Sequence, residues 1–282
     1  MTTRRNVQMS ITARPVLEGA GVHLNRVFGF GNESLFDPFL LLDDFRSDRP
    51  EHYLKGFPWH PHRGIETITY VLSGDVEHGD SLGNRGTISS GDVQWMTAGS
   101  GIIHQEMPKG DERGAMHGFQ LWANLPAKDK MIDPRYRDIT AAQIPEIAGD
   151  EGSKIKIIAG SLDQIQGPVT DIATEPEYFD VSLPANATFS HTTPPQHTLM
   201  VYGIDGSGQS AGEQLLNKTL LLFEQGDEVV LESGPEGLRF LLLCGKPLRE
   251  PVAWRGPIVM NSEEELETAF REYQQGTFIK HR

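Results

Sequence analysis

The sequence predicts an all-β protein: two tandem β-barrels with one short C-terminal helix. Three observations carry that prediction. Short apolar runs recur between Gly, Pro, Asn and Asp turns. The two halves of the chain echo each other. Only one segment, near the C-terminus, has the pattern of a capped amphipathic helix.

The runs Glu66 to Leu72, Asp92 to Thr97, Gly118 to Ala123, Lys154 to Ala159, Thr198 to Tyr202, Thr219 to Phe223 and Leu238 to Cys244 are rich in Val, Ile, Leu, Thr and aromatics. Bounded by turn residues, each reads as a strand. The 30 Gly and 18 Pro suit a chain that turns often. Many such strands indicate a sandwich or barrel. In the first half, Tyr70-Val71-Leu72-Ser73-Gly74 precedes Gly91-Asp92-Val93; in the second, Val201-Tyr202-Gly203-Ile204-Asp205-Gly206 precedes Gly226-Asp227-Glu228-Val229. A tandem barrel is the simplest account of that echo. The polar stretch from Ala127 to Glu151, with Pro126, Pro134 and Pro145 in or beside it, reads as helical or irregular and as a linker. The expected division is a barrel over 1–130, a linker over 131–152, and a second barrel with the helix over 153–282. Ser262-Glu263-Glu264-Glu265 forms a capping box, and Leu266, Ala269, Phe270 and Tyr273 follow on one face, with Gly276 as a stop.

At 282 residues and 38% apolar content the chain can bury a substantial core. Its net charge of −14 disfavours direct nucleic-acid binding, which needs a basic face. A single cysteine, Cys244, permits no internal disulfide, and its apolar run reads as core packing. No apolar run approaches the ~20 residues that span a bilayer, and no signal-peptide pattern opens the chain, so a cytoplasmic protein without membrane contact is expected.

The chemistry concentrates in His60-Pro61-His62 and His104-Gln105-Glu106. Side chains at i and i+2 of a strand share a face, so each segment offers a converging pair. On neighbouring strands facing a barrel interior, His60, His62, His104 and Glu106 would supply three imidazoles and one carboxylate. That set suits a first-row metal such as Fe(II), Mn, Ni, Cu or Zn and leaves positions open for substrate. A structural zinc site more often uses cysteines.

The glycine-spaced order Gly56, His60-x-His62, Glu66, Gly74, then Gly91 and His104, resembles the two cupin motifs, although Gly99 stands where the second usually has proline. The runs Gly56-Phe57-Pro58-Trp59-His60-Pro61-His62-Arg63-Gly64-Ile65-Glu66-Thr67, Gln94-Trp95-Met96-Thr97-Ala98-Gly99-Ser100-Gly101-Ile102-Ile103-His104-Gln105-Glu106-Met107-Pro108 and His117-Gly118-Phe119-Gln120-Leu121-Trp122-Ala123-Asn124-Leu125-Pro126 resemble the pirin family over nearly the whole chain. The resemblance implies two jelly-roll-like cupin barrels and one metal, Fe(II), in the first. It implies His60, His62, His104 and Glu106 as ligands, with Glu66 outside the set. Aligning Gly91 with Gly226 puts Arg239 and Leu241 where His104 and Glu106 stand, so the second barrel is expected to hold no metal.

The resemblance further implies a quercetin 2,3-dioxygenase-like oxidoreductase that cleaves a flavonol with O2 and releases CO, with Glu106 as base. The alternative it implies is a non-catalytic iron-binding regulator, a redox-sensitive partner of a transcription factor or metabolic enzyme. A cupin-type sugar isomerase would need a further acid/base pair, and none stands out. His191 and His197 read as ordinary loop or core residues, and Asp43-Asp44 as a strand end. His117 is a minor candidate for the pocket wall, and Glu66 a candidate hydrogen-bond partner of a ligand histidine.

Overall fold

Strand alternation dominates the architecture of the computed structural model, which describes residues 3–281. The chain forms two compact units. One runs from Arg14 to Ala141 and takes in the tail from Leu248 onward; the other holds Ala142–Pro247 and the leading segment up to Ala13.

The histidine-bearing unit has a seven-stranded antiparallel sheet, in the order Arg135–Ile139, Val93–Thr97, Ile65–Ser73, Met116–Asn124, Phe39–Ser47, Val22–Phe28, Arg14–Glu18. A four-stranded sheet, ordered Phe57–His62, Ile102–Lys109, Asp75–Asp80, Arg85–Ile88, accompanies it. Inward residues such as Val22, Leu24, Phe45, Val71, Val76 and Ile88 form part of its core. The tail adds the hairpin Ala253–Arg255/Ile258–Met260 and the helix Glu263–Gln274. Ile258, Met260, Leu266, Ala269 and Phe278 cluster there, and Ile103 packs against them. The helix opens with the expected capping box at Ser262.

The other unit is a nine-stranded sheet assembly whose interior is filled by Phe179, Val181, Leu199, Val201, Leu221, Phe223, Phe240, Leu242, Cys244 and their neighbours. Cys244 is buried there, and burial pushes its thiol well up.

The expected division is corrected at both ends and in the middle. The strand Val7–Thr12 pairs with Thr219–Phe223, so its backbone groups are satisfied in the second unit. The helix belongs to the first unit, because its apolar face completes the tail cluster there. The expected linker is mostly structured: Arg135–Ile139 pairs with Val93–Thr97, and Glu146–Ala148 pairs with Lys154–Ala159. Backbone pairing, which a polar composition conceals, decides these memberships. Among the described residues no helix is long and apolar enough to cross a membrane.

Candidate metal centre

Ile102–Lys109 is an interior strand of the four-stranded sheet, and its burial alternates strictly. Ile102, His104, Glu106 and Pro108 are buried while Ile103, Gln105 and Met107 are partly exposed. His104 and Glu106 therefore share the inner face. The neighbouring strand Phe57–His62 runs antiparallel to it, with His60 opposite His104 and His62 opposite Ile102. A register shift between His104 and Glu106 sets Glu106 opposite Phe57. Gly56, at φ +58, opens this strand; a Cβ there would stand 2.6 Å from the Glu106 carbonyl oxygen, so the close approach of the two backbones needs glycine.

Three imidazoles meet as expected. His60, His62 and His104 form the one group among the described residues with three donors placed to hold a metal, each ligand atom within 4.8 Å of the others. The Nε2 atoms of His60 and His62 are 3.0 Å apart, and those of His60 and His104 are 2.9 Å apart. Nitrogens bound at about 2.1 Å and at right angles around one ion would lie about 3 Å apart. The opposite edges of the rings are engaged elsewhere. His60 Nδ1–H donates to the Pro58 carbonyl at 2.8 Å and His62 Nδ1–H to the Pro257 carbonyl at 3.1 Å. Tyr136 Oη lies 3.5 Å from His104 Nδ1. With Nδ1 as donor, Nε2 of His60 and His62 carries a lone pair, and lone pairs this close repel unless a cation lies between them. Burial, reinforced by the neighbouring imidazoles, holds His62 and His104 well below the usual histidine range. They are neutral, the form that binds metal. The donor set fits a first-row ion.

Glu106 is not in the close imidazole group; it lines a cavity together with His60 and His62. Burial pushes its carboxyl up to about 7, against the pull of a hydrogen bond from Thr69. Thr69 Oγ1 is 2.9 Å from Glu106 Oε1 and 2.8 Å from Gln120 Oε1. One hydroxyl hydrogen cannot serve both acceptors. A Gln120 amide turned to donate through Nε2 satisfies all three groups.

The cavity measures about 530 Å³. Its walls are largely apolar: Leu24, Leu41, Phe45, Phe57, Val76, Trp122 and Trp254. A second polar cluster in the wall comprises Glu18, Arg26 and Asp43. Arg26 grips Asp43 with two bonds of 2.8 and 2.7 Å and reaches Glu18 at 2.8 Å.

Several expectations need correction. Asp43 and Asp44 lie inside the strand Phe39–Ser47 and do not end it. Leu41, Asp43 and Phe45 alternate toward the cavity, a period-two signal that the run of apolar residues hid. Glu66 accepts from Thr97 Oγ1 at 2.7 Å and bonds none of the imidazoles, being an odd number of residues from the inward Thr69 on the same strand. His117 lies 3.4 Å from Asp44, outside the cavity lining. In the second unit Phe240, Leu242 and Cys244 take the inward positions, so Arg239 and Leu241 lie on the other face of their strand, and Arg239 pairs with Asp180. His191 bonds Glu177 at 3.0 Å. Sequence reasoning missed Thr69, Gln120, Arg26, Trp254 and the Pro257 carbonyl. Their contribution depends on strand pairing and on where the tail folds back, and no local motif announces either.

Comparison with known proteins identifies the family. Residues 21–123 match the pirin family model, and residues 178–279 match that of the pirin C-terminal cupin domain. A Pseudomonas aeruginosa protein provisionally named a quercetin 2,3-dioxygenase is 47% identical, over 98% of this chain and 99% of its own. Human pirin is 38% identical, over 97% of this chain and 94% of its own. The crystal structure of an Acinetobacter baumannii quercetin 2,3-dioxygenase superposes with a TM-score of 0.90 at 32% identity, covering 98% of this chain and 99% of that one. Two cupin domains, the convergent histidines and these matches together place the chain in the pirin family.

Proposed function

We propose that this chain is a metal-dependent dioxygenase of flavonols such as quercetin, with His60, His62, His104 and Glu106 as the metal ligands and Fe(II) as the metal. The observation that carries the reading is the cluster of three imidazoles, two of which, His60 and His62, line a largely apolar cavity of about 530 Å³ together with the buried carboxyl of Glu106. That volume suits one drug-sized ligand. The names of similar proteins support the substrate class.

A divalent first-row metal at this site would acidify a bound flavonol hydroxyl and supply the electron chemistry that lets O2 react. The protein does the rest. Trp122, Phe45 and the other apolar walls exclude water and offer flat contact to aromatic rings. Glu106, whose carboxyl lines the cavity beside His60 and His62, accepts the hydroxyl proton. Thr69 restrains one carboxylate oxygen and so sets the direction of the other. The imidazoles stay neutral and oriented through their Nδ1 contacts. The overall reaction opens the heterocycle, places both oxygen atoms in the product and releases CO.

The test is direct. Protein loaded anaerobically with Fe(II) is mixed with quercetin and then air, and loss of flavonol absorbance is followed together with CO release. Coupled turnover that disappears in His62→Ala is expected. Protein shown to hold metal but unable to turn over any flavonol would refute the reading.

A further inference from the structure

The tail beyond Leu248 bonds the histidine site through Pro257, whose carbonyl accepts the Nδ1–H of His62. Trp254, Gly256 and Pro257 also form part of the cavity wall. One of the groups bonded to this segment is a buried lysine. Lys130 is 2% exposed. Its Nζ donates to the Gly64 carbonyl at 2.8 Å, to Asn124 Oδ1 at 2.7 Å and to the Val259 carbonyl at 3.0 Å.

Three donors meet three neutral acceptors, and among the described residues no carboxylate bonds the ammonium. Burying a cation in this way is costly: burial pulls the Lys130 ammonium down to about 7, so the three-donor form is complete below neutral pH, and the arrangement calls for a reason. Its geometry supplies one. Gly64 lies two residues beyond His62, and Val259 two residues beyond Pro257. Lys130 therefore ties together the two short segments that carry the donor and the acceptor of the His62 hydrogen bond. Val259 N–H donates to the Arg63 carbonyl at 3.1 Å, adding a direct backbone link. Gly64, at φ +77, is so close that a Cβ would stand 1.9 Å from the Val259 carbonyl oxygen. Arg63 extends the attachment further along the tail: its guanidinium donates to Glu272 and to the Phe278 carbonyl and lies 4.2 Å from the Phe278 ring centroid.

We propose that Lys130 is a positioning residue for the metal centre. It clasps the tail against the segment after His62 and holds the Pro257 carbonyl where it locks His62 in the Nδ1–H tautomer, with the Nε2 lone pair turned toward His60 and His104. The proposal rests on the metal-site reading above. It assigns the C-terminal tail, which carries none of the proposed metal ligands, a part in metal affinity.

The experiment compares wild type, Lys130→Met, the milder Lys130→Gln, and Leu242→Ala as a destabilised control in the other unit. Co(II) affinity is measured by competition with a chromophoric chelator. The tautomer of His62 is read in metal-free protein from its ring-nitrogen NMR shifts. Loss of an outer partner of a ligand histidine weakens metal binding about 10–100-fold. Lys130→Met is expected to fall in that range, with Lys130→Gln between it and wild type and Leu242→Ala unchanged. His62 should be a single Nδ1–H tautomer in wild type and a mixture in Lys130→Met. If Lys130→Met fails to fold, Lys130→Gln carries the same comparison. Wild-type affinity and a single tautomer in a folded Lys130 variant would overturn the clasp alone. Wild-type protein that takes up no Co(II) would overturn the metal reading beneath it.

Discussion

Removing Arg26 should destabilise the protein strongly at neutral pH and less strongly in mild acid. Asp43 is 4% exposed, and both its carboxylate oxygens are bonded by Arg26, at 2.8 and 2.7 Å. Burial pushes its carboxyl up to about 6, even though Arg26 draws it down. Between about 4 and 6 the native state therefore holds a proton that the unfolded state has released, and wild type loses stability as the pH rises through that window. Arg26→Met keeps much of the aliphatic stem and removes the charge. It strands a buried carboxylate, which costs about 3–5 kcal/mol at pH 7.5. Without Arg26 the folded Asp43 pKa rises above 6, so the variant meets pH 5 with Asp43 already neutral. If that pKa reaches 7.5, the difference from wild type spans about 1.5 pH units at about 1.4 kcal/mol each. About 2 kcal/mol of the loss should then be recovered at pH 5. Urea unfolding followed by tryptophan fluorescence at pH 7.5 and pH 5 measures both values. A loss below about 1 kcal/mol at pH 7.5, or the same loss at both pH values, would refute the reasoning. The double variant Arg26→Met/Asp43→Leu should lie nearer wild type at pH 7.5 than the single variant, because the buried carboxylate is gone and the Glu18 carboxylate left behind is exposed to solvent.

Three further outcomes are expected. His104→Ala should lose most bound metal while keeping a wild-type far-UV circular dichroism spectrum; full occupancy by elemental analysis would remove His104 from the ligand set. Glu106→Gln should retain part of the metal and lose most flavonol turnover, and normal turnover would show that Glu106 is not the base. Ser262→Ala removes the hydroxyl that accepts from Glu265 N–H, one half of the capping box. It should cost about 1 kcal/mol in urea unfolding and leave metal affinity unchanged.

Local sequence determined much of this protein. The period-two spacing of His60 with His62, and of His104 with Glu106, settles which side chains share a face, because alternation is a property of any extended strand. The Ser262 capping box marks its helix for the same reason: its hydrogen bonds close within a few residues. The family resemblance was legible too, in contiguous runs around those histidines. Tertiary structure alone decided the partners. Glu66 stands four residues after His62 yet turns to Thr97, while the Pro257 carbonyl crosses most of the chain length to reach the same histidine. Asp43 reads as the end of an apolar strand until Arg26 is found across the sheet, and Lys130 reads as an ordinary polar residue until the nearby Asn124 and the distant Gly64 and Val259 carbonyls surround it. The strand Val7–Thr12 and the C-terminal helix each belong to the unit farther away in sequence. Backbone groups and apolar faces must be satisfied somewhere, but their chemistry does not name the place. Which distant segment satisfies them is set by chain topology, and that exists only once the chain has folded.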